Sequence, residues 1–112
     1  MNNTEMKNRI FAKLTGEGGL RTDFNPDGSN KTVNMEALQV LSKMLEDDAF
    51  CNELTGKIVD KYFELCALRG LNPERPNMFD RVMTVADCDT WARYFGNQMI
   101  MAELNENASR GR

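Results

Sequence analysis

The residues best suited to bind a ligand lie near position 25. Asp23, Asn25 and Asp27, followed by a glycine, match the first half of a calcium-binding loop, in which oxygen-bearing side chains occur at alternate positions. The second half does not match, because Asn34 occupies the twelfth loop position, where such a loop needs a bidentate glutamate. Pro26 indicates a turn instead, so the sequence predicts no metal site and no cofactor.

Two further pairs of carboxylates lie close together in the sequence. Asp60 and Glu64 are four residues apart on a helical face that also carries lysines, which is typical of solvated ion pairs. Asp87 and Asp89 lie where we predict a helix to begin, and acidic side chains are favourable there because of the helix dipole. Neither pair indicates catalysis.

The chain contains no histidine, which excludes mechanisms that use imidazole as a base, an acid or a metal ligand. Glycine-rich phosphate-binding patterns are also missing. Cys51, Cys66 and Cys88 show no C-x-x-C spacing and lie near apolar helical stripes, so we interpret them as buried, reduced thiols. The sequence therefore predicts that the protein is not an enzyme.

Length and composition indicate one small folded domain. The chain has 112 residues, of which 41% are hydrophobic and 28% charged, and a formal net charge of -3. This acidity does not favour nucleic acid as a partner. No apolar run approaches the roughly 20 residues of a membrane span, and the N-terminal residues lack the apolar core of a secretory signal. We therefore expect a cytoplasmic protein with no membrane association.

Apolar residues at steps of three and four predict a mainly α protein, a compact bundle of four to five helices. The following helices are placed at about 35–46, 49–69 and 80–85 and from Thr84 or Asp87 to about 106. The expected N-terminal caps are, in chain order, Thr4, Asn34, Asp47 or Asp48, Asp80, and Thr84 or Asp87. Residues 1–106 would form a single domain and 107–112 a flexible tail. Two core stripes are predicted, one of Leu38, Leu41 and Leu45, the other of Cys51, Leu54, Ile58, Tyr62 and Leu65.

A small β-hairpin, or an ordered loop, is predicted at residues 20–33, between the first and second helices. Residues 25–28 read Asn-Pro-Asp-Gly, in which proline presets the first turn dihedral and glycine accepts a positive φ. Short strands would run from Leu20 to Phe24 and from Lys31 to Val33. An isolated hairpin is marginally stable, so it would need to dock on the helices.

Apolar residues outside the predicted core are candidates for contact with a partner. Met99, Ile100 and Met101 are consecutive, and successive helical positions point about 100° apart, so at least one must face away from a single core. Residues near the hairpin tip are the other candidates. The predicted partner-binding residues are Arg21, Phe24, Pro26, Lys31, Met99, Ile100 and Met101.

These features favour a small protein-protein interaction module, a regulator or inhibitor that binds a larger protein. A compact acidic chain of this kind would suit an accessory protein of a phage or mobile element. The alternative is a self-assembling structural protein, a homo-oligomer paired through the surface from Met99 to Leu104. A weaker alternative is nucleic-acid binding through the hairpin and the first helix, where the basic residues are Arg21, Lys31, Lys7, Arg9 and Lys13.

Overall fold

The computed structural model describes residues 2–16, 19–20 and 35–110 of the chain. Five helices occur in these residues: α1 (Asn3–Thr15), α2 (Met35–Glu46), α3 (Asp48–Arg69), α4 (Met78–Val82) and α5 (Val85–Arg110). Helix α3 lies at the centre and contacts all four others, while α5 also packs against α1 and α2. The prediction of a mainly α bundle of four to five helices is confirmed for this part of the chain.

The predicted β-hairpin is wrong as an element of the fold. Residues 2–16, 19–20 and 35–110 contain no strand, and of the range 20–33 only Leu20 lies among them. Leu20 is buried in the helical core, and its N–H donates to the carbonyl of Leu14 at 3.0 Å, which pairs a carbonyl in the last turn of α1. The turn signal was local, and two short strands without a sheet have little apolar surface to bury.

Two predicted helix caps are confirmed. The Asp47 side chain accepts a hydrogen bond from the Phe50 N–H at 3.1 Å and begins α3. The Thr84 hydroxyl oxygen accepts from the Asp87 N–H at 3.2 Å, and the same hydroxyl donates to the Asp87 carboxylate at 2.9 Å. Each cap satisfies one backbone donor that the first helical turn leaves unpaired.

Two other predicted caps are wrong. Helix α1 begins earlier than expected, because Asn2 rather than Thr4 accepts the hydrogen bond from the Glu5 N–H, at 2.8 Å. Asp80 lies inside the first turn of α4, which follows Asn77 in the left-handed conformation with φ of 67°. Several short polar residues precede each helix, and the sequence does not determine which of them takes the capping position.

The core stripe predicted for α3 is confirmed at its centre. Leu54, Ile58 and Tyr62 are fully buried, and Cys51 and Leu65 are half-buried against the core. Because α3 has neighbours on several sides, Val59 and Cys66 are buried as well. Helix α3 is therefore the central helix, against which the other four pack.

The core stripe predicted for α2 is wrong in part. The buried residues of α2 are Ala37, Val40 and Met44, whereas Leu45 is 61% exposed. Helix α2 is therefore turned about its axis so that Val40 lies directly against Gly96 of α5. A Cβ atom added at position 96 would lie 2.7 and 2.8 Å from the two γ-carbons of Val40. The absence of a side chain at Gly96 lets the two helices approach closely, so the contact with α5 selects which face of α2 is buried.

Helix α5 is the longest element and continues to Arg110, past residue 106 where the sequence places the end of the domain. Its buried positions are the small residues Cys88, Ala92 and Gly96, and the half-buried Trp91 and Phe95 flank them. Across the described part of the chain, no helix has both the length and the apolar composition needed to cross a bilayer.

Candidate protein interaction site

The sequence-predicted contact residues fall in two groups. Arg21, Phe24, Pro26 and Lys31 lie outside the residues that the structure describes. The other three, residues 99–101, lie in the distal half of α5, which we define as residues 97–106.

The three consecutive residues of the distal half of α5 face different surroundings. Met99 and Ile100 are half-buried and pack against the core, whereas Met101 is 56% exposed. The expectation that at least one of the three faces away from the core is confirmed. Each of the two half-buried residues also lines a different groove beside α5.

The α2–α5 groove is the more apolar of these two recesses. It has a volume of about 590 Å³ and is lined by Met35, Leu38, Ile100 and Leu104, together with Lys43 and Glu103. Met35 is 63% exposed and Leu104 is 55% exposed. Large apolar side chains therefore remain accessible along both walls of this groove.

The α3–α5 groove lies between the first turns of α3 and the distal half of α5. It has a volume of about 470 Å³, and its apolar lining comes from Phe50, Phe95, Met99, Ala49 and Ala102. Its charged lining is mostly acidic, with Asp47, Glu53, Glu103 and Glu106 against one cation, Lys57. The lining thus combines apolar side chains with charged ones that are mostly acidic.

A chain of ion pairs separates the two grooves. The Lys43 ammonium lies 3.0 Å from a carboxylate oxygen of Glu103 and 3.7 Å from one of Asp47. The hydrogen bond to Glu103 and the charges of both carboxylates raise the pKa of Lys43, so it stays protonated at neutral pH. These contacts join α2, the start of α3 and the distal half of α5.

An aromatic cluster fixes one wall of the α3–α5 groove. The Phe95 ring stacks on Trp91 with 5.6 Å between centroids and meets Tyr94 edge to face at 5.4 Å. The Lys61 ammonium of α3 lies 4.3 Å from the centroid of the Trp91 ring. Phe95 is therefore held in place before any partner binds. The helical spacing of Trp91 and Phe95 in the sequence gives no sign of the groove beside them.

Comparisons with known proteins give no direct indication of function. No family model, curated protein or solved structure matches the chain. The chemistry of the described surface therefore has to support any functional conclusion.

Three of the four paired carboxylates make contacts within the fold. Glu64 binds Lys61 at 3.2 Å, and Asp87 completes the cap at Thr84. Asp89 binds Arg93 at 3.1 Å, and burial raises the pKa of Asp89. In residues 2–16, 19–20 and 35–110, no group of three cysteine or acidic side chains could hold a metal ion, and the Asp23–Asp27 turn lies outside these residues.

The basic residues of α1 are engaged within the fold. Arg9 and Lys13 both contact Asp80, each at 3.0 Å. Lys13 also donates to the carbonyl of Met83 at 2.6 Å, and Lys7 donates to the Asn52 side chain at 2.9 Å. These contacts attach α1 to α3 and α4, and the Asp80 carboxylate offsets part of the positive charge that α1 offers to a nucleic acid.

The three cysteines are free thiols, and they differ in burial and therefore in expected reactivity towards thiol reagents. Cys66 and Cys88 are fully buried and Cys51 is half-buried. Burial raises the pKa of Cys88 to about 11, so only about one molecule in a thousand carries the thiolate at pH 8. Burial, with the nearby Asp48 charge, also raises the pKa of Cys51.

We expect Cys51 to react first with a water-soluble disulfide reagent in the native protein, and Cys66 and Cys88 to react only on unfolding. Peptide mapping by mass spectrometry after timed labelling at about pH 8 would measure this order. Labelling in concentrated guanidinium is the control, in which all three should react at similar rates. Labelling of Cys88 as fast as Cys51 in the native protein would show that the packing around Cys88 is wrong.

Proposed function

We propose that the protein is an interaction module that binds a larger protein in the cytoplasm and regulates or inhibits it by covering part of its surface. The observation that carries this proposal is the exposed apolar surface of the distal half of α5, where Met101 is 56% and Leu104 is 55% exposed beside the α2–α5 groove. Exposed apolar side chains grouped around a groove are typical of protein contact sites.

The arrangement around α5 has the composition of a protein interface. Both grooves are lined by apolar side chains together with charged ones, among them Lys43 and Glu103. Protein interfaces commonly have an apolar centre and a charged rim. A partner that contacts the distal half of α5 has a groove on each side of the helix to bind in. Ile100 lines the α2–α5 groove and Met99 lines the α3–α5 groove.

Replacing the exposed apolar residues of α5 with charge should abolish this binding. We expect the double variant Met101→Asp/Leu104→Asp to fold normally, since both side chains are more than half exposed, and to lose the partner. Affinity purification with quantitative mass spectrometry, from cells that naturally express the protein, would show at least about a tenfold drop in the retained partner. Leu68→Asp is the control. Leu68 is 75% exposed and lies at the C-terminal end of α3, whereas the first turns of α3 lie beside the distal half of α5.

Two results would contradict the proposal. Retention of the same proteins by the wild type and the double variant would show that this surface does not bind them. A molar mass in light scattering that rises with concentration for the wild type alone would assign the surface to a second copy of the chain, as in the self-assembly hypothesis.

A further inference from the structure

The methionines of the chain fall into distinct classes of exposure. Seven of the eight lie in the residues that the structure describes. Four of them are at most 3% exposed: Met6, Met44, Met78 and Met83. Met99 is half-buried against the core. Met35 and Met101 are 63% and 56% exposed, so these two are the described methionines that a dissolved reagent reaches most easily.

Both exposed methionines lie at the proposed contact surface. Met35 lines the α2–α5 groove together with Leu104. Met101 precedes Leu104 by three residues in α5, which places the two side chains next to each other on the helix surface. The thioethers that solvent reaches most easily, among the described residues, therefore belong to the apolar surface that carries the proposed function.

A thioether is an apolar group that a hydroperoxide converts into a polar one. A sulfur lone pair takes up the outer oxygen of the peroxide, the O–O bond breaks, and the peroxide proton passes to the leaving oxygen. The sulfur loses two electrons and becomes a sulfoxide, and the peroxide is reduced to water or an alcohol. A sulfoxide reductase reverses the change with two thiols, which gives back the thioether, a disulfide and water.

We propose that Met35 and Met101 are a redox-sensitive modification site, at which oxidation to the sulfoxide releases the partner protein. This inference rests on the proposed function and adds a way to regulate it. A sulfoxide oxygen enclosed in an apolar contact loses its hydrogen bonds to water, which disfavours the complex. The free protein is little affected, because both side chains are already more than half exposed in it.

The cysteines are the other side chains that a hydroperoxide oxidises, and the thiolate is their reactive form. Cys66 and Cys88 are fully buried. Burial, with the Asp48 charge, raises the pKa of the half-buried Cys51 and so lowers its share of thiolate. Dithiothreitol reduces oxidised thiols that form disulfides and leaves methionine sulfoxide unchanged, which allows the two kinds of oxidation to be separated.

Timed oxidation of the purified full chain with hydrogen peroxide at about pH 7, followed by peptide mapping with mass spectrometry, would measure the order of reaction. We expect Met35 and Met101 to react first and Met99 later. The four buried methionines should react only on unfolding. Circular dichroism should show an unchanged helix content once the first two have reacted.

Affinity purification from cells that naturally express the protein would then compare each oxidised protein, freed of peroxide, with its own untreated sample. The oxidised wild type should retain at least about tenfold less partner. Dithiothreitol alone should not restore retention, whereas the two sulfoxide reductases, one for each sulfoxide epimer, should. Met35→Leu/Met101→Leu has no thioether at these positions and should retain equal amounts before and after peroxide. Met78→Leu removes a buried methionine of α4 and should lose as much as the wild type does.

Three outcomes would overturn the inference: oxidation of the buried methionines as fast as Met35 and Met101, full retention by the oxidised wild type, or an equal loss in Met35→Leu/Met101→Leu. The proposed function fails on different results. A wild type that retains no partner, or one that Met101→Asp/Leu104→Asp retains equally, would exclude it and this inference with it. A partner that Met101→Asp/Leu104→Asp loses and the oxidised wild type keeps would leave the proposed function standing and exclude the redox site.

Discussion

Replacing Tyr62 by alanine is expected to lower the free energy of unfolding by about 3–5 kcal/mol. Tyr62 is fully buried in α3, and its ring meets Phe79 of α4 edge to face, with centroids 5.0 Å apart and planes at 70°. Its hydroxyl donates to the carbonyl of Pro73 at 2.7 Å. The truncation would leave a cavity at the α3–α4 contact and remove the anchor of the connection between these helices. In a domain of this size, that is a large part of the total stability.

The variant Tyr62→Phe separates the hydrogen bond from the packing of the ring. Burial raises the pKa of Tyr62 to about 12, so the hydroxyl stays protonated as a donor across the neutral range. Phenylalanine keeps the ring and leaves the Pro73 carbonyl without this donor, for which we expect a loss of about 1–2 kcal/mol. Urea unfolding followed by circular dichroism would measure both variants. Tyr94→Phe, at an exposed tyrosine, should change little.

The alanine variant also tests the placement of α4. A loss below about 1 kcal/mol for Tyr62→Ala would mean that α4 does not pack on α3 as described. A loss for Tyr62→Phe equal to that for Tyr62→Ala would assign the stability to the hydroxyl alone and contradict the role of the ring.

The parts of the fold that the sequence predicts are those that depend on local patterns. The stripe of Leu54, Ile58 and Tyr62 follows from helical spacing. Residue type limits the caps of α3 and α5 to two candidates each, of which Asp47 and Thr84 take the capping position. The buried face of α2 could not be found in this way. Leu45 continues the leucine spacing of Leu38 and Leu41, yet the close contact with Gly96 turns Val40 inward and leaves Leu45 in solvent.

The candidate site was likewise predictable from the sequence only in part. The divergence of Met99, Ile100 and Met101 follows from helical geometry alone, and the structure bears it out. The grooves could not be predicted, since Met35 and Phe50 come from other helices and meet the distal half of α5 only in the folded chain. The charge of the α3–α5 groove likewise combines two acidic stretches that are distant in sequence.

Replacing Gly96 by alanine is expected to destabilise the protein by about 1–2 kcal/mol, although alanine is the better helix former. An added Cβ would lie 2.7 and 2.8 Å from the two γ-carbons of Val40 and 3.4 Å from its β-carbon. Valine in a helix has one strongly preferred rotamer, so it cannot turn away. Overpacking costs about 1–3 kcal/mol, and two carbon contacts below 3 Å place this one in the upper part of that range, so it outweighs the gain of about 1 kcal/mol in helix propensity.

The same substitution at Gly56 is the matched control, with the opposite expected sign. Gly56 lies inside α3, and a Cβ there would meet only the end of the Lys7 side chain, at 3.5 and 3.7 Å, which is ordinary contact. Gly56→Ala should therefore raise the free energy of unfolding by up to about 1 kcal/mol. Urea unfolding of both variants would measure the difference in sign, and stabilisation by Gly96→Ala would show that α2 and α5 are farther apart than described.

The double variant Val40→Ala/Gly96→Ala identifies the contact responsible. Val40→Ala removes both γ-carbons, so the new methyl group at position 96 would occupy space that they vacate. We expect the double variant to be at least about 1 kcal/mol more stable than the sum of the two single effects predicts. Additive effects would place the strain of Gly96→Ala elsewhere. Because Val40 and Gly96 set the separation of α2 and α5, Gly96→Ala should also widen the α2–α5 groove and weaken partner binding there.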